Sequence, residues 1–316
     1  ITGTCGNITS DGNATLTVVA ISYAQGNFLS ITGTGNYEDN TSWSRCNQIG
    51  GCTGTTIGSG GWGAIGISKP VAASSVFIQG TITLNNALGV ENSTILSGGN
   101  LIVNSQHAVS GSMLIKSGGK VTNKDRLNFG SEVPFNIEDG GSLVLDSYQD
   151  NPNTSLWNGS ENFAANSTVT INYADRGNPL FSGASIISTN PSTNALFGNL
   201  IIQPTTFNDP GHWTGIFPNG NYTLTKNDLT INNNSNRNFT LNGGEITVGR
   251  NMFVNNTTST DVVMRSTSGT IFTVLGNLTT TGTSTGVFRL NGIGNFTLNI
   301  KGNLLINSGI FRLTGF

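Results

Sequence analysis

The residues best suited to chemistry in this chain are the carboxylates Asp146, Asp150 and Asp175, with Arg176 beside the last and Lys124-Asp125-Arg126 a short way upstream. A pair of such carboxylates hydrolyses glycosidic bonds, and a carboxylate site holding Ca²⁺ beside a basic residue eliminates across them. These charges follow no repeated spacing, so the plainer reading is a set of solvated side chains. His107 and His212 lie far apart in sequence and read as surface histidines rather than as acid, base or ligand. No phosphate loop or EF-hand loop occurs. No metal or cofactor is expected.

Two other residue types carry expectations. Cys46 and Cys52 close a short loop containing Gly50-Gly51 and read as a disulfide. Cys5 is left over, and its pairing with either of the others stays open. The aromatics Tyr148, Trp157, Tyr173 and Trp213 interrupt otherwise regular sequence, where they are candidates to stack on sugar faces. The alternative is that they pack irregular segments onto the scaffold.

That scaffold is legible from Leu229 onward. Leu229, Met252, Leu278 and Leu304 recur at intervals of 23, 26 and 26 residues, each following a small polar turn. Two further families keep step: Leu241, Met264, Leu290 and Leu313, and Val248, Val274 and Ile300. Apolar residues alternate with polar ones within each unit, as in Phe311-Arg312-Leu313, so one strand face is buried and the other wet. Three short strands per two dozen residues predict an all-β fold, a right-handed parallel β-helix of about nine coils. Asn232, Asn255 and Asn307 follow the first strand of their units, which suggests an amide ladder at one corner. A Thr ladder of the ice-binding kind is not expected, because the outward row reads Thr230, Phe253, Thr279 and Leu305.

Residues 1–74 lack the repeat and are expected to cap the first coil, with Trp43 and Trp62 plugging its end. From residue 75 the strands return, punctuated by Gly98-Gly99, Gly118-Gly119 and Gly140-Gly141. An insertion is expected at about 146–197 and a smaller excursion at about 205–219. Only 9% of residues are charged and the net charge is −2, so nothing offers the basic stripe that nucleic acid needs. No apolar run is long enough for a membrane-spanning helix. The start at Ile1 without a charged leader suits a mature exported chain, and the unfinished unit at Phe311-Arg312-Leu313 suits a chain that continues beyond residue 316.

The Gly-Asn-Leu units, the Asn after the strand, the glycine-paired corners, the low charge and the Gly-rich aromatic opening resemble the parallel β-helix regions of large exported surface proteins of Bacteroidota. The resemblance spans residues 75–316 outside the insertion, and its motifs are architectural. It implies a non-catalytic adhesin or stalk on the outer cell surface or outside the cell, exported by the type IX secretion machinery. Its partners would be surface glycans or another cell-surface protein. A polysaccharide lyase or glycosidase on the same scaffold is the alternative.

Overall fold

Alternation of one inward and one outward residue gives almost every segment of this chain the character of a half-buried strand. The structure bears that out. It is a computed structural model and describes residues 22–125, 127–129, 133–146, 161–174, 196–207, 213–217, 220–233, 237–241, 244–257, 261–266, 269–283, 285–292 and 296–313. These residues are almost all strand, in sheets that are mostly parallel.

The longest sheet has eleven strands and runs from Thr34–Asn36 to Leu304–Ile306. Every strand in it pairs in parallel with its neighbours, and Leu200, Leu229, Met252, Leu278 and Leu304 are direct partners in turn, the last four as the spacing predicts and Leu200 in addition. The first four are fully buried, whereas Leu304, in the edge strand, is 42% exposed. Each buried Leu or Met side chain contributes about 1.5–3 kcal/mol relative to an exposed one, so the column is a main source of cohesion. The outward row Thr230, Phe253, Thr279 and Leu305 is also in register.

Two shorter parallel sheets accompany it in the second half. One joins Tyr222–Thr225, Gly244–Val248, Thr270–Val274 and Phe296–Ile300, and there Val248, Val274 and Ile300 are partners as expected. The other runs from Trp213–Phe217 through Arg237–Leu241, Asp261–Ser266 and Val287–Gly292 to Ile310–Leu313. Met264, Leu290 and Leu313 align, but Leu241 does not: its partner is Ser266, and Phe239 stands opposite Met264. The period of two makes Phe239 and Leu241 equivalent by pattern, so sequence spacing alone chose the wrong one.

In the first half an eight-stranded sheet runs from Trp43–Arg45 to Glu161–Phe163, by way of Phe28–Ser30, Ser75–Ile78, Leu88–Ile95, His107–Ile115 and Phe135–Ile137, with Leu127–Phe129 also pairing with His107–Ile115. Only its outermost strand, Trp43–Arg45, is antiparallel, lying on Phe28–Ser30. Phe28–Ser30 and Thr34–Asn36 pair in parallel with Ser75–Ile78 and Thr81–Leu84, so the opening segment extends both long sheets. Trp43 is fully buried with its indole N–H on the Tyr37 carbonyl, and Trp62 is buried in a separate cluster with Tyr23, Leu29 and the two cysteines. Cys46 and Cys52 are bonded, as predicted. The expected strand at Thr15–Ile21, and Cys5, lie outside the described residues.

Within the span read as an insertion, Glu161–Phe163 and Thr168–Ala174 join the two long sheets in register. Residues 147–160 and 175–195 lie outside the described residues. The paired glycines divide their labour at the corners. Gly98, Gly118 and Gly140 take positive φ of 78°, 74° and 79°, where a side chain is strained. Gly99 packs so closely on the Ile78 carbonyl of the neighbouring strand that a Cβ has no room.

Candidate functional site

Of Asp146, Asp150 and Asp175, Asp146 alone lies within the described residues. It sits just past the strand Ser142–Leu145, its N–H bonded to the Asn123 carbonyl at 2.8 Å. Lys124 takes the same position one repeat earlier, bonded to the Val103 carbonyl, and makes no ion pair with Asp146. The Asp146 carboxylate accepts a hydrogen bond from Asn172 Nδ2 at 3.2 Å. That bond is the foot of a ladder: Gln203 Nε2 donates to Asn172 Oδ1 at 3.1 Å, Asn232 Nδ2 to Gln203 Oε1 at 3.0 Å, and Asn255 Nδ2 to Asn232 Oδ1 at 2.8 Å. Its rungs are 26, 31, 29 and 23 residues apart in sequence. Asn232 and Asn255 fulfil the expected ladder, whereas Asn307 lies level with Thr281 and only its backbone N–H is engaged, on Thr280.

A second row of the same kind lies near the start of the long sheet. Asn104 Nδ2 donates to Asn85 Oδ1 at 3.0 Å, Asn85 Nδ2 to Asn36 Oδ1 at 3.4 Å, and Asn36 Nδ2 to Asp39 Oδ2 at 3.0 Å. A third row fixes the polar turns that precede the leading residues. There the side-chain oxygen of one repeat accepts the backbone N–H of the next: Asp228 on Asn199, Asn251 on Asp228, Asn277 on Asn251, and Asn303 on Asn277, at 2.8–3.3 Å. These bonds satisfy backbone donors that a tight corner leaves without strand partners.

Asp228 is the one carboxylate here with a marked electrostatic setting. Arg250 grips it through Nε and Nη2 at 2.9 and 2.6 Å. Partial burial pushes its carboxyl up, but the hydrogen bonds from Arg250 and Asn251 outweigh that and hold it below its ordinary value. The other described ion pair joins Lys116 and Glu138 at 3.3 Å. Both bridge successive repeats, which is a structural role.

His107 is not a surface histidine. Its ring is fully buried, 5.8 Å from the Tyr37 ring, in register between Leu88 and Leu127. Neither ring nitrogen has a well-aligned hydrogen-bond partner, and burial drives its pKa down to about 4, partly offset by the Leu88 backbone. The pattern signal was available, because His107 holds an inward position of its strand. His212 lies outside the described residues.

The aromatic candidates are less well placed by the structure. Tyr173 stands in Thr168–Ala174 opposite Thr206, and Trp213 in Trp213–Phe217 opposite Arg237. Tyr148, Trp157, Asp150, Asp175, Arg176 and Arg126 lie outside the described residues. Phe163, from the same irregular span, is a core residue: its ring meets Phe135 edge-on at 5.3 Å and stacks on Phe197 at 5.9 Å. Sequence reasoning missed Asn172 and Gln203, because they flank the stretch where the repeat length changes most. No helix among the described residues is long and apolar enough to cross a membrane. Comparison of the chain with protein-family models, with curated proteins and with solved structures finds no match.

Proposed function

We propose that the parallel sheets close into a right-handed parallel β-helix with three strands per coil, serving as a non-catalytic rod on an exported surface protein, an adhesin or stalk. The observation that carries this reading is the eleven-stranded parallel sheet, held in register by apolar columns inside and polar ladders at its margins. With strands about 4.8 Å apart, such a sheet stacks to about 48 Å, a stiff spacer with little charge. The Cys46–Cys52 disulfide supports an oxidising, extracytoplasmic destination. Asp146, the catalytic candidate within the described residues, holds the foot of the ladder. Surface glycans or another surface protein are the partners this reading implies, and the family resemblance to Bacteroidota surface proteins adds the type IX route.

The test incubates the chain with immobilised neutral and acidic polysaccharides, with and without Ca²⁺, following both retention and new reducing or unsaturated ends. Retention without new ends is the expected result. Steady release of new ends would overturn the non-catalytic reading in favour of a carbohydrate-active enzyme.

A further inference from the structure

The opening segment and the first repeats enclose a cleft of about 660 Å³, within the range of about 300–1,000 Å³ usual for small-molecule sites. Four pieces of chain form its walls, and local bonds hold each. The turn at Ala24–Asn27 is closed by Asn27 N–H on the Ala24 carbonyl at 3.1 Å, and Gly26 N–H bonds the Cys46 carbonyl at 2.9 Å. The loop ending at Ser74 is locked twice, by Ser74 N–H on the Val71 carbonyl and by Val71 N–H on Ser74 Oγ. Glu91 N–H bonds the Ser74 carbonyl at 2.9 Å. Asn92 donates to Ser75 Oγ at 2.9 Å and accepts from Ser112 Oγ at 2.8 Å. Arg45, on the disulfide-anchored strand, lays its guanidinium beside Gly26.

The chemistry on these walls is unusual for so weakly charged a chain. Arg45, Lys69 and Glu91 all line the cleft, yet among the described residues none of them is in an ion pair. Gln25, Asn27 and Asn92 add amides, and Ser68 Oγ in the wall is buried with no hydrogen-bond partner. Two cations suit a carboxylate, which a guanidinium grips through parallel N–H bonds. A carboxylate and several amides suit hydroxyls, since the first accepts and the second both accept and donate.

We infer that this cleft binds a carboxylate-bearing saccharide, with Arg45 and Lys69 on the sugar carboxylate and Glu91 and Asn92 on its hydroxyls. The choice of a saccharide rests on the surface-binding reading above, whereas the paired cations and the cleft do not. The site lies at the cap, away from the aromatics Tyr148, Trp157, Tyr173 and Trp213 in sequence.

Calorimetric titration of the disulfide-intact chain tests it, with tri-galacturonate as the probe and galactotriose and hexaglutamate as comparators. Tri-galacturonate is expected to bind, and the Arg45→Gln/Lys69→Gln double variant to weaken it by about ten-fold or more, as the loss of charge-assisted bonds implies. The variant's thermal unfolding should match the parent's, because both side chains are exposed. Galactotriose and hexaglutamate should each bind at least about ten-fold more weakly. No binding of tri-galacturonate, equal binding of galactotriose, equal binding of hexaglutamate, or indifference to the double variant each overturns the assignment. Polysaccharide retention that survives the double variant removes the cleft but leaves the surface-binding reading intact. Loss of all retention in the parent removes both.

Discussion

A histidine buried without a proton partner should make this protein acid-sensitive in a defined window. His107 is completely buried and its pKa is driven down to about 4, against an ordinary value of 6.5. In the unfolded chain the imidazole takes up a proton as pH falls below about 6.5, whereas in the folded chain it stays neutral until about pH 4. Between those values the unfolded state binds more protons, so stability is full above pH 6.5 and declines as pH drops toward 4. Each pKa unit corresponds to about 1.4 kcal/mol, which puts the loss at about 3 kcal/mol. The phenol of Tyr37, the nearest ring, is pushed well above its ordinary value by burial and by Glu38 and stays neutral throughout. The perturbation is His107→Leu, which continues the Leu88 and Leu127 positions in the same register. Urea unfolding at pH 7.5, 6, 5 and 4, followed by Trp43 and Trp62 fluorescence, gives the stability of each form. The variant should gain on the parent by about 3 kcal/mol as pH falls from 7.5 to 4. A parent-to-variant difference that stays constant with pH, or an imidazole titrating near 6.5 by NMR, would refute the reasoning.

Three further outcomes follow from packing and bonding. Leu278→Asp places an unpaired charge in the fully buried column between Met252 and Leu304 and should cost several kcal/mol; an unchanged thermal midpoint would mean the register is wrong. Asp146→Ala leaves Asn172 Nδ2 without its acceptor and should cost about 1 kcal/mol, while Asp146→Asn keeps an acceptor and costs less; equal losses in urea unfolding would count against the ladder. Opening Cys46–Cys52, whose partners are six residues apart, should destabilise by about 2 kcal/mol on the loop-entropy estimate; Cys46→Ser/Cys52→Ser with an unaltered melting curve would contradict it.

What could be read from sequence was whatever repeats. Leu229, Met252, Leu278 and Leu304 announced one sheet, and Val248, Val274 and Ile300 another, because burial imposes the same residue type at each level. Leu241 failed where two apolar residues two positions apart satisfy the same alternation. Asn172 and Gln203 escaped notice because strands can remain in register while the connecting chain varies in length. His107 was misjudged by residue type, although its alternating neighbours Val109 and Met113 face inward with it. The cleft beside the opening segment was invisible for a different reason: Arg45, Lys69 and Glu91 belong to three separate pieces of chain, and only folding makes them line one cleft.

Both side-chain amide rows share a polarity. Every rung between repeats donates toward the amino-terminal end of the stack, and each row stops on a carboxylate, Asp39 three residues past Asn36 in one and Asp146 in the other. An amide turned the other way round would present oxygen to oxygen below it and NH₂ to NH₂ above it. A carboxylate offers only acceptors, so it permits one orientation of its neighbour, which then dictates the next. The aligned amide dipoles meet a negative charge at their positive end, the same electrostatic match that an acidic residue makes at the start of an α-helix. A single carboxylate therefore fixes the facing of four others, up to four repeats and more than a hundred residues farther along the chain.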